Sequence, residues 1–539
     1  MKNCPHCHKS IEDALTVCSF CQGAITEIVP AKKYTPIFSL KELLSLLGIG
    51  ISLGMTHNYL FYQLDAGISV PLFTSLFLLS IFIISRISQI IINRNMIVVG
   101  VTIFVFSLFQ AIRVSDILTS LNTIALYFSS LLLLLLLVKQ RFEDIRMDNY
   151  MKGFGKIILG SIGGLGIWLK NLVGLGIKIG DTDQKIHILK GILMAIPLIF
   201  VFTLLFSSAD LVFQKFVGDL LNFNLLDILQ ASERLINIIF FSVVFVGIFT
   251  FVSYNIRTFQ KKEEDVEIVI DDKKHIEIYV MLGLVSLLFL TFIVIQISYL
   301  FGGEQMILSQ GHTYAEYATK GFQELAAIAF IVFVLFWQID QYLYAHKKPS
   351  NSRIYKGLSS LIISLTLIIL LSAFQRLWLY ETMYGFTEIR FYGYICIVML
   401  GLASLIILHK ILFFMKEGHF LISIISLCGI ALLVCNVINP ESFITESNTT
   451  KNYRGSLKMD SYYISNRSED AVDNMIKTYA TLDGVAKKDM EVPFCRMLGK
   501  LKKEYSWQEF NYSRYHAQKV LSMREGDLNC TIKNIHTSR

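Results

Sequence analysis

Apolar residues fall in blocks of about twenty along most of this chain, with short polar stretches between them, and about twenty residues is what a helix needs to cross a bilayer. The blocks predict eleven membrane helices, over 40–62, 70–92, 96–112, 118–138, 189–207, 235–254, 276–301, 321–343, 358–380, 391–414 and 420–438. The N-terminus is polar and cysteine-rich, so no cleavable signal is expected and the first block should remain as a span. The pattern divides the chain into a cysteine module (1–30), helices one to four (31–138), a basic amphipathic cytoplasmic segment (139–188), helices five to eleven (189–438) and a soluble helical tail (439–539). The expected fold class is an all-α integral membrane protein with about eleven transmembrane helices, a small N-terminal Cys4 zinc ribbon and a C-terminal helical extracytoplasmic domain.

Lysine and arginine then set the orientation, because cytoplasmic loops retain positive charge. With the N-terminus inside, the inner segments hold twenty-five such residues. The outer segments hold five: Arg113, Lys215, Arg234, Lys320 and Arg390. The reading is a multi-pass protein of the cell membrane, a bacterial inner membrane, with a cytoplasmic N-terminus and an extracytoplasmic C-terminus. Composition agrees, since 54% of the 539 residues are hydrophobic and 17% charged, where a soluble domain carries nearer a quarter charged. The net charge of +7 does not point to nucleic acid, because the basic residues lie between apolar blocks rather than on one compact face. The lipid bilayer is the expected partner.

Residues 157–177 are apolar enough to suggest a further span. On a helical wheel, Lys152, Lys156, Lys170 and Lys178 share a narrow sector with Trp168 opposite, which describes a helix lying in the inner interface. The alternative is a glycine-rich cytoplasmic linker.

Cys4, Cys7, Cys18 and Cys21 form two C-x-x-C pairs ten residues apart. Each pair can present two thiolates from one tight knuckle, and two knuckles close a tetrahedral sulfur shell suited to a structural zinc. His6 and His8 are spare donors. Metal binding would supply the folding energy of so small a module, and reduced thiolates fit a cytoplasmic location. Its role is contact with a cytoplasmic protein partner, a sensory role or a passive cap.

Under this topology four polar helix ends arrive at the outer leaflet. Helix seven ends with Gln296 and Tyr299, and helix eight is approached through TYAEYATKGFQEL. Helix nine leaves through FQRLWLYETMYGFTEIRFY into helix ten. Glu316, Lys320 and Glu324 are four apart and share a helical face, and Arg376, Glu381, Glu388 and Arg390 lie across from them. Ions at membrane depth need a partner or a watery cavity, so this cluster is either a substrate, proton or headgroup site or a clamp between helices. Asp340, Gln338, His346, His409 and Lys410 read as interfacial residues at the inner ends. Cys396, Cys428 and Cys435 read as small apolar residues.

In the tail, Ser468, Glu469 and Asp470 resemble a helix start, followed by a stripe of Val472, Met475, Ile476 and Tyr479. A second stripe uses Phe494, Met497, Leu498 and Leu501. Ser506 with Glu509 forms a capping-box pattern before a third helix. Cys495 and Cys530 could pair outside the cell or remain free thiols.

The runs KGILMAIPLIFVFTLLFSSADLVF, IQISYLFGG, TYAEYATKGFQEL, YETMYGFTEIRFYGY, INPESF with Asn448, SEDAV and SWQEFNYSR resemble the bacterial polytopic membrane family catalogued as domain of unknown function 4173, from about Leu40 to Leu521. The zinc-ribbon prefix is an addition seen on diverse bacterial membrane proteins. The resemblance implies architecture and no reaction. It covers Gln296, Tyr299, Tyr314, Glu316, Tyr317, Gly321, Phe322, Glu324, Arg376, Tyr380, Tyr384, Gly385, Thr387 and Arg390. Where that family tends to arginine after YAEYA, this chain has Thr319 and Lys320, which leaves no guanidinium there.

Three functions follow as alternatives. The first is transport or sensing of a small molecule, ion or lipid headgroup at the outer leaflet. The second is a membrane-embedded enzyme on a lipid-linked substrate, with Glu316 or Glu324 as base and Arg376 holding an anionic group. The third is a structural or assembly scaffold. No evident catalytic metal site, phosphate loop or activated nucleophile favours the second.

Overall fold

The computed structural model describes residues 2–3, 10–11, 38–142, 145, 147–176, 210, 213, 215, 225–259, 276–301, 321–345, 353–413, 415–450, 460–528 and 530. Among these the protein is helical, apart from a two-residue antiparallel pair that sets Lys2 opposite Ile11 and Asn3 opposite Ser10. The helices are α1 (Leu40–Phe61), α2 (Ser69–Ile87), α3 (Arg94–Ile112), α4 (Asp116–Lys139), α5 (Met147–Gly176), α6 (Leu225–Phe259), α7 (Ile276–Phe301), α8 (Phe322–Ala345), α9 (Arg353–Tyr384), α10 (Glu388–Phe413), α11 (Glu417–Ile438), α12 (Pro440–Thr450), α13 (Ser461–Ser465), α14 (Val472–Ala480), α15 (Gly484–Leu501) and α16 (Tyr512–Met523).

Ten of the described helices are long and apolar enough to cross a membrane: α1 to α4 and α6 to α11. They coincide with ten of the eleven blocks expected from sequence. The block at 189–207 lies outside the described residues, as do Cys4, Cys7, Cys18 and Cys21. Many large apolar side chains point away from the protein, among them Leu284, Leu287, Leu288 and Val294 on α7. Such a surface would be a liability in water and is the ordinary outer face of a helix in lipid.

Two compact units are distinguished, residues 1–45 with 166–222 and residues 46–165 with 223–539. In the first, the Trp168 indole donates to the Leu43 carbonyl at 3.0 Å, and Asn171 Oδ1 accepts from the Phe38 amide at 3.3 Å. In the second, helices approach through small residues. Gly50 of α1 faces Val246 of α6, Gly54 faces Ser242, and on α5 Ser161 and Gly164 meet Gly247 of α6 backbone to backbone. A Cβ on either glycine of that last pair would strike the opposing chain, so the closeness that replaces hydrophobic drive inside lipid depends on their missing side chains. The amphipathic stretch after α4 is thus helical, and one of its faces packs on a neighbouring helix. It is not among the ten helices that meet the length and apolarity of a span.

Short connections join α2, α3 and α4 as antiparallel neighbours. Asn93 caps α3 by accepting from the Met96 amide at 3.0 Å, and its own amide donates to the Gln140 carbonyl at 2.6 Å, tying the start of α3 to the end of α4. At the other boundary, between the spans and the tail, the break is a single left-handed residue. Asn439 (φ 57°) closes α11, and Pro440 opens α12 at once, where its missing N–H costs nothing.

Candidate functional site

The tail folds around its own core. Val472, Met475, Ile476 and Tyr479 of α14 meet Phe494, Cys495, Leu498 and Leu501 of α15, with Ala517 and Leu521 of α16 beneath. Met497, placed in the stripe by sequence, is half-buried at the edge of that core. Cys495 is joined to Cys530 by a disulfide with Cα atoms 5.4 Å apart. The capping box of Ser506 and Glu509 is present, but it closes a 3-10 turn, and α16 starts after Asn511, whose side chain accepts from the Ser513 and Arg514 amides. Burial and a hydrogen bond to Glu491 push the Tyr479 hydroxyl up to about 12.

Hydrogen bonds fix this domain to three connections at one end of the bundle. At the α1–α2 loop, the Asp65 amide donates to Glu509 Oε1 at 3.0 Å and the Ile68 amide to the Phe510 carbonyl at 2.9 Å. Gly67 lies so close to the Glu509–Phe510 backbone that no side chain would fit. At the α3–α4 loop, one carboxylate oxygen of Asp470 accepts from the Val114 and Ser115 amides at 3.0 and 2.9 Å. This satisfies free donors at the positive end of α4. Asn511 donates to the carbonyls of Gln110 and Arg113 at the end of α3. Arg113 in turn donates to the Asn436 carbonyl through Nε (3.0 Å) and Nη2 (2.6 Å), while burial lowers the pKa of its guanidinium. At the α9–α10 loop, Asn448 pairs with both the amide and the carbonyl of Phe386, each at 2.8 Å.

Between the tail and this end lies a cavity of about 370 Å³. Its charged lining is Asp116 of α4, Glu388 of α10, Glu441 of α12, Arg467 and Glu469 of the loop before α14, and Arg496 and Lys500 of α15. Arg467 is ion-paired with Glu388, lies 3.9 Å from Glu441 Oε2 and stacks over Tyr463 at 4.0 Å. Glu441 also accepts from the Ser468 amide at 3.3 Å. Its own carboxyl is pushed up to about 8, first by burial and then by the hydrogen bond that its protonated form donates to the neighbouring Glu388 carboxylate, against the pull of Arg467. Burial likewise raises the Tyr463 hydroxyl, which accepts from the Glu388 amide at 3.3 Å.

Among the described members of the cluster predicted from sequence, Glu388 alone lines this cavity. Glu381 and Arg390 are buried deeper, and both act electrostatically on the Tyr394 hydroxyl. Arg390 donates to the Gly385 carbonyl and lies 3.9 Å from the Tyr380 ring and 5.7 Å from Tyr384. Gly385 (φ 75°) ends α9 in the left-handed region, which turns that carbonyl toward the arginine. Arg376 lies against Gly321 (φ 99°), where the backbone angle disfavours any other residue and a Cβ would meet the guanidinium. Gln296 is buried and donates to Ser372, and Glu324 is exposed in the first turn of α8. Tyr299 lies on α7 with its side chain outside the described residues, and Glu316 and Lys320 lie wholly outside them. Among the described members, then, Glu388 faces the cavity while Glu381 and Arg390 are buried at the α9–α10 turn.

Sequence reasoning missed Glu441, Arg467, Arg496, Lys500 and Asp116 as a set. The signals present were INPESF and SEDAV, which bracket Glu441 and Glu469, and the four-residue spacing of Arg496 and Lys500. It also read Lys410 and Asp340 as separate interfacial residues. They form a triad, with Lys410 2.8 Å from Asp340, paired with Glu417 and 4.3 Å from the Phe420 ring. No group of side chains suited to a metal occurs among the described residues.

The family model described as a domain of unknown function (DUF4153) matches residues 72–478, a number other than the 4173 suggested by the motif blocks. That match takes in the helices from α2 to the tail's α14 and stops short of both the cysteine module and α15. No curated protein and no solved structure matches the chain.

Proposed function

We propose a function from geometry, since the chain belongs to the DUF4153 family, a domain of unknown function. In this reading it is a multi-pass membrane protein whose tail domain and bundle end together bind a small polar molecule or lipid headgroup, in transport or in sensing. The carrying observation is the cavity of about 370 Å³, lined by seven ionisable side chains from both parts and within the ~300–1,000 Å³ of ordinary ligand sites. The disulfide and the distribution of lysine and arginine favour an extracytoplasmic tail.

The donor set of Cys4, Cys7, Cys18 and Cys21 fits a closed sulfur shell, so a structural zinc holds this module together and presents it to a cytoplasmic protein partner. A scaffold role is favoured for one part of the predicted cluster, since the burial of Glu381 and Arg390 and the stacking of Arg390 on Tyr380 describe a clamp for the α9–α10 turn. Of the two candidate bases of the enzymatic alternative, Glu324 does not line the cavity and Glu316 lies outside the described residues.

Native mass spectrometry of the full-length protein in nanodiscs of its own membrane lipids tests the binding role. The wild type should retain small ligands or lipids that a Met497→Trp variant, which fills the cavity, loses. Identical spectra for the two would defeat the reading.

A further inference from the structure

Some charges in the cavity are committed to one another. Glu388, Glu441 and Arg467 form a local set in which one carboxyl keeps its proton near neutral pH, so the set is close to neutral. Asp470, just behind, already occupies the amides at the start of α4, so that helix end does not recruit an anion. Four charges remain. Arg496 and Lys500 are four apart on α15, on one helical face, while Asp116 opens α4 and Glu469 opens the turn before α14. None of the four has an ion-pair partner among the described residues.

A simple anion drawn to Arg496 and Lys500 would meet two carboxylates, and a simple cation drawn to the carboxylates would meet two bases. A ligand carrying both signs satisfies both pairs. An arginine fork beside a lysine point charge suits phosphate oxygens, and carboxylates suit a primary ammonium with N–H donors to give. Ile117, Pro493 and Met497 supply apolar wall for a short carbon link between the two groups.

Resting on the binding role proposed above, we infer that the cavity is a site for a phosphoethanolamine group, its phosphate on Arg496 and Lys500 and its ammonium on Asp116 and Glu469. The group could arrive free or as the headgroup of phosphatidylethanolamine. The cavity is too small for a whole phospholipid, so in the second case the acyl chains stay in the bilayer against the helix ends.

Calorimetric titration of the full-length protein in detergent, with phosphoethanolamine, glycerol 3-phosphate and ethanolamine as probes, tests this. Phosphoethanolamine should bind at least about ten-fold more tightly than either half-ligand, and R496Q or K500Q should each weaken it about ten-fold. D116N and E469Q should weaken phosphoethanolamine while leaving glycerol 3-phosphate bound as tightly or more tightly, a pattern that general loss of tail structure would not give. Thermal unfolding of each variant confirms that the tail is intact. In phosphatidylglycerol nanodiscs, competition by added phosphatidylethanolamine identifies the lipid as the source, and unchanged titration identifies the free molecule. Equal binding of glycerol 3-phosphate, indifferent to D116N, overturns the inference but leaves a ligand cavity in place. Failure of every probe also overturns it, and the Met497→Trp comparison then decides separately whether the cavity binds anything.

Discussion

The two ends of α10 handle buried charge in opposite ways. At its N-terminus, Glu388 joins Glu441 and Arg467 at the edge of an open, polar cavity roofed by the tail. At its C-terminus, twenty-two positions and about 33 Å away, Lys410 sits between Asp340 and Glu417 and against Phe420, packed beside the apolar side chains of α7 to α11. The far end is the simpler case: a lysine at the end of α10 and a glutamate at the start of α11 each suit the local helix dipole, and the triad closes on itself. The tail end keeps charges that its own partners do not fully use. Closure of an ion cluster fits a clamp, whereas the surplus charge around the cavity is what the proposed ligand role rests on.

The largest effect should come from breaking the closed end. Lys410→Met leaves two carboxylates together in a poorly solvated site and should cost about 3–5 kcal/mol. Denaturant unfolding in detergent should show this, and adding Asp340→Asn and Glu417→Gln should recover most of it. If the single variant is neutral, the triad is not a clamp and the contrast between the ends disappears.

Next is the support of the roof. The Cys495–Cys530 bridge closes a stretch of 35 residues, and Cys495→Ser with Cys530→Ser should lower tail stability by about 3–4 kcal/mol on the loop-entropy estimate. Proteolysis should then cut the tail while sparing the bundle.

A smaller effect tests the shared proton at the open end. The Glu441 carboxyl is raised from 4.5 to about 8, so the folded state prefers its neutral form. Stability of the docked tail should therefore fall as pH rises from about 4.5 to about 8 and level off on either side. The groups facing it are Glu388 and Arg467, so Glu441→Gln should flatten this slope without abolishing docking. Thermal melts across that range give the measurement, and an unchanged slope would mean that Glu441 titrates normally.

The smallest effect sets a baseline in the same domain. Lys502 and Glu525 pair at 2.5 Å with both side chains about half exposed, so Lys502→Ala should change tail stability by less than ~0.5 kcal/mol. A larger loss would show that exposed pairs matter here as much as buried ones.

Much of the fold is legible because helices in lipid must be long, apolar and internally hydrogen-bonded, a demand written locally into each block. The tail's core positions are legible for a similar reason, as Val472, Met475, Ile476 and Tyr479 repeat at helical spacing. The site is less legible. Glu388 was found because it stands at a helix end. Its partner Arg467 is 79 positions away, in a loop whose spacing carries no periodic signal. Arg390 and Glu381 looked equally functional in the sequence, yet in space they close a turn.

Apolar length and helical period, which depend only on neighbours along the chain, determine how many of the described helices can cross a membrane and which tail residues turn inward. Tertiary structure alone decides which charges meet. Asp470 reaching the start of α4, Asn448 gripping Phe386 and the choice of Glu388 over Arg376 for the cavity all depend on where distant segments dock. An ion's role is set by its distance to partners in space, and no short-range pattern along a sequence encodes that distance.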